Sequence, residues 1–138
     1  MLGEILLKDN IKNYIYIVAG DEMKKLMSAR FPERIIVPFC EDFSKGSCNY
    51  LDLNDNLLSE RATFWHVSKS QYIEKLLPII NLDMSKDYIL CFGDDACCNA
   101  NLKFMVNYLK YKGYSKKIKI QILNEYNLKI KKEYFIKK

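Results

Sequence analysis

The sequence predicts a compact α/β sandwich, with a mostly parallel central sheet flanked by helices and closed by a carboxyl-terminal antiparallel hairpin. Three observations carry that prediction. Short, continuous β-branched or aromatic runs occur at IYIVAG (15–20), RIIVPF (34–39) and YILCFG (88–93), as expected of strands buried on both faces of a parallel sheet. Helix-period patterns lie between and after them. The chain then changes to a period of two over its last twenty or so residues, the mark of half-buried antiparallel strands.

Taken in order, the first run ends at Gly20, and Glu22 to Arg30 then places Met23, Leu26 and Met27 on one helical side before Pro32 stops the helix. After the second run, Asn54 to Trp65 groups Leu57, Phe64 and Trp65. Ser68 and Gln71 have capping-box spacing ahead of a helix presenting Tyr72, Ile73, Leu76 and Leu77, which Pro78 ends or bends. The third run leads to the clearest helix, over 96–112, where Cys98, Leu102, Met105, Val106 and Leu109 form one apolar face and Gly113 follows. Ile118, Ile120 and Ile122 then alternate with Lys119 and Gln121. Leu128, Ile130, Tyr134 and Ile136 keep that period beyond a polar link at 124–127, so 118–136 reads as a hairpin with the three isoleucines facing the core. The first dozen residues add a short edge strand in this reading.

The 138 residues suit one domain spanning 1–138. No apolar run approaches a membrane span, and MLGEILLKDNIKNY has neither a basic leader nor a signal-length apolar core, so a cytoplasmic location and no membrane partner are expected. Five cysteines, an odd number, argue for free thiols over a disulfide framework. The net charge of +5 divides unevenly: residues 110–138 carry +8 and residues 1–109 carry −3. The basic character therefore belongs to the tail, as a solvated strand face or as a surface for phosphate.

In an open parallel sheet, ligands bind beyond the carboxyl ends of the strands. Those ends carry Gly20-Asp21-Glu22, then Glu41-Asp42-Phe43-Ser44-Lys45-Gly46, then Gly93-Asp94-Asp95. Asp94 or Asp95 suffices to cap the following helix. The other aspartate, gathered with Asp21, Glu41 and Asp42, calls for a compensating positive group or for loops that fan apart into solvent. Arg61 sits on the apolar side of its helix, four residues after Leu57 and ahead of Phe64 and Trp65. It is either buried against a carboxylate, with Asp94 or Asp95 the expected partner and Asp42 the alternative, or it packs its stem on Trp65 and extends its head to water. Cys91, Cys97, Cys98 and the sole histidine, His66, lack the spacing of a zinc site, so no structural metal is expected. There is no Walker loop, no Gly-x-Gly-x-x-Gly and no Ser-His-Asp order.

The segments EDFSKG (41–46), ERATFW (60–65) and LCFGDDACCNANLKFMVNYLKYKGY (90–114) resemble the bacterial family catalogued as domain of unknown function eighteen thirty-five. That family shows a similar order of a Gly-Asp strand end, an acidic-x-Ser-x-Gly loop, an Arg-x-x-aromatic helix and an Asp-containing loop before a Leu-rich helix. The resemblance spans Tyr14 to Asn124 and brings no assigned activity. It implies that Asp21, Asp42, Ser44, Gly46, Arg61, Asp94 and Asn101 belong to one arrangement.

The expectation drawn from all this is a ligand site made of Asp21, Asp42, Ser44, Gly46, Arg61, Asp94, Asp95 and Asn101 for a small phosphorylated or nucleotide-like molecule. Ser44 and Gly46 would donate hydrogen bonds, Arg61 would clamp charge, and Asp94 with Asp42 would hold a metal or ligand hydroxyls. The residues assign no reaction and no cofactor. The alternative is an accessory module whose basic hairpin binds nucleic acid or a protein.

Overall fold

The computed structural model describes residues 14–46, 48 and 50–136. The edge strand expected in the first dozen residues lies outside them. The described elements are β1 (Tyr14–Val18), α1 (Gly20–Arg30), β2 (Ile35–Pro38), α2 (Asp55–Phe64), α3 (Lys69–Ile80), β3 (Asp87–Phe92), α4 (Ala96–Tyr111), β4 (Ile118–Leu123) and β5 (Ile130–Ile136). They form one five-stranded sheet ordered β2-β1-β3-β4-β5. The first four strands are parallel and β5 pairs antiparallel with β4.

Alternation along the strands divides the core in two. Ile17, Leu90, Phe92, Ile118 and Ile120 pack with residues of α2, α3 and α4 on one face. Tyr16, Val18, Ile36, Ile89 and Cys91 meet Met23 and Met27 of α1 on the other. The helices start and stop where their side chains dictate. Ser68 and Gln71 form the reciprocal capping box of α3. Pro78 does not end that helix, which runs on to Ile80, although its ring crowds the carbonyl one turn back and forfeits the bond an N–H would have made there. α4 closes with the Tyr114 amide returning to the Leu109 carbonyl (2.9 Å).

The hairpin forms over 118–136 as expected. Asn124 makes its turn, its Oδ1 accepting from the amides of Tyr126 (2.9 Å) and Asn127 (3.1 Å), while Leu128 adopts φ +62°. Ile118 and Ile120 are buried and Ile122 packs against the same core.

Strand order matters for function. β1 is followed by β2 on one side and β3 on the other, so the connections diverge between β1 and β3, and a crevice opens there at the carboxyl ends.

Candidate functional site

Two loop systems meet over that crevice. The first is acidic. Asp21 stands in the first turn of α1. Asp95 is the N-cap of α4, its Oδ1 accepting from the Cys98 amide at 2.7 Å. That assigns the capping role within Asp94-Asp95. Asp94 turns outward to Lys131 Nζ (3.1 Å) on β5 and takes no part in the crevice. Across from Asp95, Glu125 reaches in from the β4–β5 turn. Its side chain lies against Gly93, where any Cβ would collide with the carboxylate. The Cys98 thiol donates to Glu125 Oε1 (3.1 Å). Gly20, Asp21, Cys40, Asp95, Cys98 and Glu125 are among the walls of a cavity of about 270 Å³.

One carboxylate oxygen from each of Asp95 and Glu125, with Cys98 Sγ, lie within 4.8 Å of one another, close enough to share a metal ion or a proton. Hydrogen bonds from the Cys98 amide, outweighing some burial, hold the Asp95 carboxyl below its ordinary value, with Glu125 contributing. Burial, with Glu125 next, pushes the Cys98 thiol up. Burial and Asp21 raise Cys40 to about 11, and burial and Asp42 raise Cys97 to about 11. All five cysteines are free. Cys40, Cys97 and Cys98 face the crevice as neutral thiols near neutral pH, which gives them little nucleophilic character.

Comparison with protein-family models, curated proteins and solved structures finds no match to this chain.

The second loop system joins β2 to α2 and is organised by a buried ion pair. Arg61 is 1% exposed, and its guanidinium grips Glu41 twice, Nε to Oε2 at 3.0 Å and Nη2 to Oε1 at 2.9 Å. Arg61 is buried as expected, but not on the expected face: it shares the buried side with Leu57, Leu58 and Ala62, while Phe64 is exposed and Trp65 half-buried. The expected partner is corrected too: neither Asp94, Asp95 nor the Asp42 carboxylate faces Arg61. The reason is the loop's path, which turns the Glu41 side chain under the loop and offers Arg61 the carbonyls of Asp42 (3.0 Å) and Lys45 (2.8 Å). Glu41 also accepts from Trp65 Nε1 (2.8 Å), from the Asp42 amide (2.7 Å) and from the Tyr72 hydroxyl. Burial works to raise its carboxyl, but the bonds from Arg61, Tyr72 and Asp42 prevail and hold it below the ordinary carboxylate range.

The remaining expected residues serve this loop. The Ser44 amide (3.0 Å) and hydroxyl both donate to Asp42 Oδ1, closing a local turn. Gly46 has φ +74°, and a Cβ there would stand 2.7 Å from Arg61 Nη1 and 2.8 Å from a Phe64 ring carbon, so the position needs glycine for both conformation and space. Asn101, buried at 2%, receives the Phe43 amide on Oδ1 (2.9 Å) and donates through Nδ2 to the Glu41 carbonyl, tying the loop to α4. The structure thus gathers Asp42, Ser44, Gly46, Arg61 and Asn101 into one loop scaffold. It sets Asp21 and Asp95 in the adjoining acidic cavity and leaves Asp94 outside both.

A second cavity, also about 270 Å³, shares Cys40 and Glu41 with the first; Asp42, Trp65, Val67, Tyr72 and Lys75 complete its wall. Reading the sequence missed Glu125, Tyr72 and Lys75 as site residues. Glu125 was within reach: β4 is also a parallel strand, and the residues just past it, Asn124-Glu125, are a fourth strand end. Tyr72 and Lys75 carry no such signal, because they come from mid-helix.

Proposed function

We propose that this domain binds a small phosphorylated or nucleotide-like ligand in the cleft above the carboxyl ends of its parallel strands, with ligand hydroxyls or an accompanying divalent cation at Asp21, Asp95 and Glu125. One observation carries the reading: an acid-lined cavity stands where the strand order reverses, with carboxylates from three separate loops in its walls. Its charge decides the orientation. A bare phosphate would be repelled there, whereas ribose-type hydroxyls or a metal-bound phosphate complement the carboxylates. Arg61 supports the reading as the counter-ion that fixes the cleft wall, and Lys75 is the cation that lines the cleft's other half. A cytoplasmic setting and kinship with the family that the sequence resembles belong to the same proposal.

The test is thermal unfolding with Mg²⁺ or Mn²⁺, ribose 5-phosphate and nucleoside monophosphates, singly and together. A ligand at a hundred times its Kd adds about 2.7 kcal/mol to stability. A rise in Tm that Asp21→Asn and Glu125→Gln abolish supports the proposal; the absence of any shift at millimolar concentration contradicts it.

A second reading has its own observation. β5 is an edge strand with Lys131 and Lys132 exposed beside exposed Ile130 and Phe135. If that surface takes nucleic acid, the affinity falls steeply with salt, log K declining by roughly 0.9 per phosphate contacted. Loss of binding in Lys131→Glu/Lys132→Glu with the cleft variants unaffected would favour it.

A further inference from the structure

The second cavity has the features of a subsite for a flat, anionic group. Its wall is largely apolar, formed by Trp65, Val67 and Tyr72 with Lys75 beside them; Cys40, Glu41 and Asp42 also line it, Glu41 held by Arg61 and the Asp42 carboxylate engaged by the Ser44 amide and hydroxyl. Both rings are held from behind by the same carboxylate: Trp65 Nε1 donates to Glu41 at 2.8 Å and the Tyr72 hydroxyl also donates to it. Glu41 is itself locked by Arg61, so the polar ends of both rings are satisfied inside the protein; Tyr72 is buried and backs the wall, while the half-buried Trp65 is the ring that offers surface to the cavity. Phe64 buttresses the indole edge-to-face, with centroids 4.8 Å apart at 80°. This wall is preorganised.

The charge points the same way. Lys75 lies one turn after Tyr72 on α3, hence on the same helical side. It is exposed and enters no ion pair among the described residues. A cation that enters no ion pair among the described residues, at the margin of an apolar slot with a fixed indole, suits an aromatic base whose attached sugar carries a phosphate. The volume, about 270 Å³, holds one ring system and is small beside the roughly 300–1,000 Å³ of drug-sized sites.

We infer that the Trp65–Tyr72–Lys75 cavity is the subsite for the base of a nucleotide-type ligand, with Trp65 as ring platform and Lys75, at the cavity margin, as contact for the 5′-phosphate. This deepens the function proposed above and rests on it for the other half of the ligand. Glu41 and Arg61 act through the two rings and are positioning residues.

The sole tryptophan of the chain stands in the wall, so binding can be read from it directly. Adenosine 5′-monophosphate, adenosine and ribose 5-phosphate are titrated against Trp65 emission and, in parallel, against Tm with Mg²⁺ present. The nucleotide should change Trp65 emission saturably. Lys75→Met should weaken it at least about fivefold, to the level of adenosine, while Lys75→Arg retains it. Lys75 is exposed, so neither variant disturbs the core. If ribose 5-phosphate with Mg²⁺ raises Tm while the nucleotide leaves Trp65 emission unchanged, the subsite is wrong and the acidic cleft stands. Equal nucleotide affinity in wild type and Lys75→Met refutes the phosphate contact. Silence of every probe in both readouts overturns the subsite and the broader function together.

Discussion

Glu41 is the residue on which most of the loop depends, since one carboxylate receives Arg61, Trp65, Tyr72 and a backbone amide. Removing either member of the buried pair leaves a charge without its partner, so Glu41→Gln or Arg61→Leu should each lower stability by about 3–5 kcal/mol, measured by denaturant unfolding. The double variant Glu41→Leu/Arg61→Leu should lose less than the sum, because no uncompensated charge remains. The pair also sets a pH dependence. The folded-state value of Glu41 lies below its unfolded value, so its contribution is fully present above the ordinary glutamate range and is lost as pH falls through the lowered value. Unfolding free energy of the wild type should therefore fall below about pH 4.5, and Glu41→Gln should flatten that part of the curve. Arg61's burial was legible from Leu57, one turn earlier on the same side, although Phe64, which the same spacing put there, is exposed. The partner of Arg61 was not legible, because Glu41 and Asp42 are adjacent in an irregular loop and only the backbone path decides which one turns inward.

Caps and turns decide the elements, and they were the most legible features. Ser68 with Gln71, Gly113 after α4, and the alternating isoleucines of β4 stand in the structure where local chemistry put them. Strand and helix limits moved by a residue or two, as at α1, which starts at Gly20 rather than Glu22. The two aspartates at the head of α4 could be separated only by geometry, since either can cap. That ambiguity gives a clean experiment. Asp95→Ala should cost about 1 kcal/mol through the lost bond to the Cys98 amide, and Ser68→Ala a similar amount at α3. Asp95→Asn keeps the cap, because asparagine serves equally well there, but removes the charge. Thermal unfolding of Asp95→Asn should match wild type without ligand and show a smaller Mg²⁺-dependent shift. A loss as large as that of Asp95→Ala would show that the charge, rather than the cap, matters to the helix.

At the scale of the whole molecule the sheet is unevenly protected, and the cleft lies at the boundary. β1 and β3 have a partner on each edge and a helix layer on at least one face, and Ile17, Val18, Leu90, Cys91 and Phe92 are completely buried. Among the described residues β5 pairs only with β4, and its residues from Ile130 to Glu133 are exposed along with Phe135. Opening β5 uncovers little apolar surface, whereas opening β3 takes apart both halves of the core. Native-state hydrogen exchange should separate the two. Amides of Ile17, Val18 and Leu90 to Phe92 should exchange only through global unfolding, at the roughly 5–15 kcal/mol typical of a domain and with a denaturant slope equal to the equilibrium m-value. Those of Lys131 to Phe135 should exchange at lower free energy with a shallow slope. Glu125 belongs to the turn of that less stable hairpin yet forms one wall of the acidic cavity. A ligand gripping it couples the loose edge to the rigid centre, and binding ribose 5-phosphate with Mg²⁺ should therefore slow exchange in the 124–128 turn and the first turn of α4 while leaving β3 unchanged. If β5 proves as protected as β3 before ligand is added, the hairpin is part of the rigid core and no such coupling exists.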